Sequence, residues 1–338
     1  MSDGLPAKAF VPPTAASPPP LASTRARPSR LVYAYLWFAV IAWGGSFVAA
    51  RLLLHPSSAG EVALSPIQLA AARFSIASIF FLIPLSRAVV QRRVSGGDLL
   101  RLVVLGLFAY TIYFWLQYTG VQQTSAGVAS ILVVGLIPLA TALLSRLTGT
   151  AKLTRLQGAA LLLGLAGVFS VALQQGLEGL GVRRDANFAL GALCLVGNAV
   201  VFAFYSMLSK RWMRTVSPVV LTGGAMLSGA LGLILLTLTD PSANRWSDLG
   251  RLSEIQIVAL LFLALICSVA AYFAYNLALT RTPADRAAMF VYFEPVVAVT
   301  LGTLLLGERL SWQSILGTLL IAVSVLIVQR AKDQGRGA

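Results

Sequence analysis

The chain has 338 residues, is 57% hydrophobic and only 11% charged, and carries 26 Lys and Arg against 12 Asp and Glu for a net charge of +14. A soluble domain has roughly 25% charged residues, so a water-soluble enzyme or binding module of this length would lack a polar surface. The basic residues fall in short gaps between apolar runs, the pattern of membrane-protein loops and not of a nucleic-acid-binding face.

Residues 1–30 are rich in Pro, Ala and Ser and read as a disordered cytoplasmic tail. Pro12–Pro20 and the lack of an early apolar core argue against a signal peptide. The stretch Leu31–Leu54 then stays apolar for about the length a helix needs to cross a ~30 Å hydrocarbon layer. Such stretches recur to the C-terminus. Ten spans are predicted, over 31–54, 66–86, 99–118, 124–145, 156–173, 187–208, 218–238, 255–279, 284–306 and 312–328. A short cytoplasmic tail, 329–338, closes the chain.

Loop charge predicts the orientation. Arg25/Arg27/Arg30, Arg87/Arg92/Arg93, Arg146/Lys152/Arg155, Lys210/Arg211/Arg214, Arg281 and Arg330/Lys332/Arg336 lie on one side, with few basic residues opposite. The rich side should be cytoplasmic, which puts both termini there.

The chain also repeats itself. Laid side by side at an offset of 157 residues, Tyr118 meets Tyr275, Pro138 meets Pro295, and Ala151-Lys152-Leu153-Thr154 meets Glu308-Arg309-Leu310-Ser311. Each copy holds five predicted spans, over 31–173 and 187–328, so the second copy starts on the opposite side of the membrane. The expected fold is therefore an all-α polytopic membrane protein of ten transmembrane helices in two inverted five-helix repeats. Inverted repeats typify secondary transporters, whose central site faces each side in turn.

Several stretches carry a family resemblance. Trp43-Gly44-Gly45-Ser46-Phe47, Pro66 through Ala72-Arg73-Phe74, Thr124-Ser125-Ala126-Gly127 through Pro138, and Glu294-Pro295 followed by Leu306-Gly307-Glu308-Arg309-Leu310-Ser311 resemble an EamA-type transporter of the drug/metabolite transporter superfamily. The likeness runs from Leu31 to Val328. It implies a bacterial inner-membrane carrier of amino acids, metabolites or drugs, mostly working in export, with uptake as the alternative. One departure stands out: Ala151 occupies the place that Glu308 fills in the second copy.

Candidate residues follow from the cost of polarity in lipid. Glu294 is the one acidic residue well inside a predicted span. It either contacts solute or protons, or it pairs with a base or caps backbone near Pro295. The guanidinium of Arg73 is either a counter-charge for an anionic solute or a tie between helices, unless it snorkels to an interface. Arg286, beside Asp285, raises the same choice. Trp43, Tyr113, Asn198, Tyr205, Tyr272, Tyr275 and Asn276 are candidates for the solute pathway, the alternative being helix packing. Trp115, Gln117, Tyr118 and Tyr292 belong to the same aromatic and amide set. Tyr272 and Asn276, four apart, should share one helical face.

Other signals point away from chemistry. Cys194 and Cys267 lie in apolar runs without Cys or His neighbours, and His55 has no second ligand. No P-loop pattern is present, and no cofactor or metal is expected. With one His and one deep Glu the chain is not read as a membrane enzyme. Its expected partners are a small organic solute and membrane lipid, with proton coupling left open and a monomer or homodimer as the assembly; no nucleic acid is expected.

Overall fold

The computed structural model describes residues 30–55, 61–91, 94–149, 155–178, 186–212, 217–240, 244–279, 281–282, 287, 290–308 and 311–334. Ten helices run through these residues. They are α1 (Arg30–Leu54), α2 (Pro66–Val90), α3 (Gly96–Gln123), α4 (Ala126–Leu147), α5 (Arg155–Glu178), α6 (Ala186–Trp212), α7 (Pro218–Thr239), α8 (Glu254–Ala278), α9 (Glu294–Leu306) and α10 (Trp312–Gln334). A 3₁₀ turn, Trp246–Arg251, precedes α8. Seven of the ten, α1–α4 and α6–α8, are long and apolar enough to cross a membrane; α5, α9 and α10 carry shorter apolar stretches, Gly158–Gly167, Glu294–Leu306 and Ile315–Ile327.

Local sequence sets the helix starts. Ser65 precedes Pro66, accepts from the Gln68 N–H at 3.2 Å, and receives the Gln68 side chain on its own N–H. Ser253 and Gln256 repeat that reciprocal cap at α8, and Ser95 with Asp98 does so at α3. Each cap satisfies N–H groups that the first turn leaves without partners. Pro fits at the first helical position because its missing N–H would be unpaired anyway. The link between α3 and α4 is only Thr124–Ser125; the third span is predicted to end at 118, but the helix runs on to Gln123 and α4 begins at Ala126.

Two helices widen. Leu107–Ile112 of α3 and Phe262–Ala270 of α8 are π-helical, bonded five residues back instead of four. Shifting the first by the 157-residue offset gives 264–269, inside the second.

The helices pair as α5 with α10, α2 with α7, α3 with α6 and α7, α4 with α6 and α9, and α1 with α8 and α9. Small residues let them close. A Cβ on Gly44 of α1 would stand 2.8 Å from the Glu294 carbonyl and 2.6 Å from Val297 Cβ, so only glycine lets α1 lie on the start of α9. The outward faces are apolar: Ile79 and Ile83 on α2, Leu235 on α7 and Leu304 on α9 are each at least 60% exposed. Such a surface suits lipid tails, while the backbone bonds close within each helix.

One predicted element differs. The ninth span was expected to be continuous over 284–306, but a turn at Tyr292–Phe293 interrupts it and α9 starts at Glu294. Pro295 is the reason: without an N–H it cannot continue a helix through this point, yet it fits the first turn of a new one. The fifth helix reaches Glu178 and the tenth Gln334, past their predicted ends.

Candidate solute site

The deepest charge is Arg73, 3% exposed on α2. Its Nε donates to Ser268 Oγ at 2.7 Å and its Nη1 donates to the Tyr118 hydroxyl at 2.7 Å. The guanidinium carbon lies 5.0 Å from the ring centroids of both Phe74 and Phe114, a cation–π arrangement that offsets lost hydration. Arg73 therefore ties α2 to α3 and α8. It does not snorkel. Ser268 can serve because of the π segment: its hydroxyl proton goes to the Leu263 carbonyl, five residues back, at 2.9 Å, leaving its lone pairs to accept from Arg73.

Glu294 is 7% exposed and opens α9. Neither it nor Arg73 forms an ion pair among the described residues. The expectation that Glu294 caps backbone freed by Pro295 is corrected, since Pro295 stands in a first turn where its missing N–H leaves nothing to cap. Arg286 and Asp285 lie outside the described residues.

Aromatic side chains fill the space between. Trp43 is wedged against Tyr272 and Tyr275, both centroids 5.2 Å away. Its indole Nε1 donates to the Cys267 carbonyl at 3.1 Å, and Cys267 Sγ donates back to the Ala42 carbonyl at 3.1 Å, so α1 and α8 are stitched both ways. Across the site, Tyr113 packs on Phe114 and Phe202, and Phe202 on Tyr205. Asn198 of α6 is fully buried and donates from Nδ2 to the Tyr113 carbonyl at 2.7 Å, while its Oδ1 has no partner among the described residues. Neighbouring residues of α8, Cys267 and Ser268, meet Trp43 and Arg73, and Gly44, next to Trp43, lies against the Glu294 carbonyl. One guanidinium and a set of phenols thus lie along one run of contacts, and α9 brings the start of its helix, Glu294, against α1 beside Trp43.

Most of the candidate set meets here: Trp43, Arg73, Tyr113, Asn198, Tyr205, Tyr272, Tyr275 and Glu294. Asn276 does not join the face that Tyr272 and Tyr275 turn to Trp43; its side chain is exposed, because one residue further along a helix is about 100° further round. Tyr118, which the sequence allows as an interface residue, is buried as the partner of Arg73. Ser268 and Cys267 carried no readable signal, since each is one small residue in an apolar run. No group of metal-ligating side chains occurs among the described residues.

Comparison with known proteins agrees with this architecture. The model of the EamA-like transporter family matches twice, over residues 30–173 and 189–330. An uncharacterized transporter of Archaeoglobus fulgidus is 26% identical over 290 residues, covering 86% of this chain and 95% of its own. The uncharacterized inner membrane transporter YedA of Escherichia coli is 27% identical over 310 residues, covering 89% and 91%. The uncharacterized transporter YwfM of Bacillus subtilis is 29% identical over 237 residues, covering 70% and 76%. A crystal structure aligns with a TM-score of 0.57 at 20% identity over 90% of this chain and 98% of that one, a likeness of fold alone. Two matches that together span nearly the whole sequence beyond its N-terminal tail establish that the chain belongs to the EamA-like transporter family.

Proposed function

We propose that the protein is a secondary transporter that moves a small organic solute across the inner membrane by alternating access, in the direction of export. In this reading α1–α5 and α6–α10 are two inverted halves, all ten helices span, and both termini are cytoplasmic. Support for the halves comes from the matched π segments and from paired contacts: α3 lies on α6 as α8 lies on α1, and α4 lies on α6 as α9 lies on α1. The loop charges support the orientation. Export is the direction the family resemblance implies.

One observation carries the assignment of the site: Arg73 and Glu294 are both buried, with neither in an ion pair among the described residues. Intramembrane charge is costly to keep, and it marks a solute or ion route more often than a scaffold. Glu294 is the carboxyl assigned to proton coupling in this reading, and Glu294→Gln should abolish any dependence of transport on an imposed pH gradient in proteoliposomes.

A thermal-shift screen of the purified protein against amino acids, nucleosides and amphipathic drugs tests this reading. A stabilising solute should lose affinity about five- to 150-fold, the equivalent of about 1–3 kcal/mol for one buried hydrogen bond, in Glu294→Gln or Tyr272→Phe. Unchanged affinity in both folded variants would move the site elsewhere.

A further inference from the structure

The second polar assembly lies at the face where α1 ends, away from the solute site. Gly307, at φ 65°, ends α9 in the left-handed region that favours glycine, and the Glu308 N–H closes back on the Gly302 carbonyl at 3.1 Å. This turn sends the Glu308 side chain across to the other half. Its Oε1 accepts from the Ala126 N–H at 2.8 Å and its Oε2 from the Gly127 N–H at 3.1 Å. Ser125 takes the next, Val128, at 3.2 Å. A carboxylate on the first N–H groups of α4 meets the positive end of that helix.

The end of α3 is held by the opposite charge. Arg51 Nη1 donates to the Val121 and Gln122 carbonyls at 2.8 and 2.7 Å, and His55 Nε2 donates to Gln122 at 2.6 Å. Cation on last carbonyls and anion on first amides grip the two-residue link Thr124–Ser125 from both sides. The same face carries more bonds between the halves: Gln68 Nε2 to the Arg245 carbonyl and Gln256 Nε2 to the Val62 carbonyl, both 2.7 Å, and Ser253 Oγ to Glu61 Oε1 at 3.1 Å. At the repeat position that would serve the opposite face stands Ala151, which has no carboxylate to offer.

We infer that Glu308 is the pin of a gate: its bonds to the start of α4 hold the solute site shut toward the face where α1 ends, and they break when the site opens there. This positioning role rests on the alternating-access reading above. The amides Glu308 holds belong to one half and Glu308 to the other, so relative motion of the halves at this face has to separate them. The neighbouring amide side chains, Gln68 and Gln256, bind neutral carbonyls and are the weaker ties, since hydrogen bonds with an ionised partner are roughly twice as strong.

The test places one reporter thiol in the solute site, Tyr272→Cys in a Cys194→Ala, Cys267→Ser background. A membrane-impermeant maleimide is then applied to intact cells and to inverted vesicles. With Glu308 in place the reporter should react faster from the cytoplasmic side. Glu308→Gln keeps the shape but drops the charge; it should raise labelling from outside about tenfold and lower it from inside. Glu308→Asp, charged but shorter, should shift both rates in the same directions by less, and it decides the matter alone if the Gln variant fails to insert. Faster labelling from both sides means a cap that only stabilises the fold, and the inference is overturned. One-sided labelling that neither variant moves also overturns the pin while leaving the transport reading intact. A reporter unlabelled from either side in all three proteins sinks both.

Discussion

The two π segments invite comparison because they occupy matching places and are anchored differently. That of α8 is held by Trp43, an indole wedged between two tyrosines, and by the charge of Arg73 on Ser268. That of α3 is followed by Tyr113, whose carbonyl takes the amide of the fully buried Asn198, and Thr111 within it donates to the Gly229 carbonyl at 3.0 Å. Similar backbone thus carries an anchor that includes a charge in one helix and an uncharged one in the other, where Tyr110 of the segment packs on Phe74 and Phe114. The lesson is that the likeness of these two segments belongs to the backbone, whereas their anchoring chemistry differs.

Substitutions can break that contrast. The largest effect is expected for Arg73→Met, which removes two charge-assisted bonds and both ring contacts: unfolding in detergent should be easier by about 3 kcal/mol. An Arg73→Met protein as stable as the parent would mean that the guanidinium is not a tie at all. Asn198→Ala should come next, at about 1–2 kcal/mol, since interhelical bonds in membranes are individually modest; solute affinity should change less than in a variant of Trp43, because Asn198 is fully buried whereas Trp43 is partly exposed. Trp43→Phe keeps a ring between the tyrosines and loses only the N–H, so its stability should fall by about 1 kcal/mol or less while binding of an identified solute weakens. If Asn198→Ala affects binding and Trp43→Phe does not, the two sides have been assigned the wrong way round.

The smallest effect concerns pH and comes from neither π segment. Burial, and to a lesser degree the charge of Arg51, push the His55 pKa below its ordinary 6.5, against the opposing bond to Gln122. The folded state thus holds this imidazole neutral more firmly than the unfolded chain does. Its contribution is present above about pH 6.5 and is lost as pH falls through the lowered value. Melting temperature followed from pH 7 to 5 should decline slightly more for the parent than for His55→Gln. Parallel curves would show that the histidine is energetically idle.

Much of the fold could be read from the residues because lipid imposes simple rules. Apolar runs of membrane length mark most helices within a few residues, while the serine caps at Ser65 and Ser253 emerge only from the structure. The π segments could not be read, since LFAYTI and FLALICSVA differ in no obvious way from α-helical runs around them. The ninth span reads straight through Pro295 because the run is apolar on both sides of it, and so the new start at Glu294 stays hidden. For the site, costly groups such as Arg73 and Glu294 announce themselves in a hydrophobic sequence, whereas their helpers, Ser268 and the Tyr118 hydroxyl, need three-dimensional neighbours to acquire meaning. Asn276 shows the converse: a polar residue at the right spacing that turns out to face elsewhere. Glu308 looked like a turn residue because its partners, two backbone amides 182 and 181 residues away, leave no trace in side-chain pattern.

A widened turn also has an arithmetic consequence for how such a chain tolerates change. A π segment is in effect a helix that has absorbed surplus residues, and each residue of an ordinary helix turns the chain by about 100°. Removing one residue from Phe262–Ala270 would let that stretch rewind as a plain α-helix with barely altered length, so insertion into the bilayer would proceed. Because that surplus is what the wide turn absorbs, the helix beyond it would keep its facing, with Tyr272 and Tyr275 still against Trp43, whereas the same deletion in a plain α-helical stretch would swing everything beyond it round by about 100°. A single-codon deletion there should thus be better tolerated than one elsewhere in α8, its cost falling on what the wide turn itself positions, the Ser268 hydroxyl that meets Arg73.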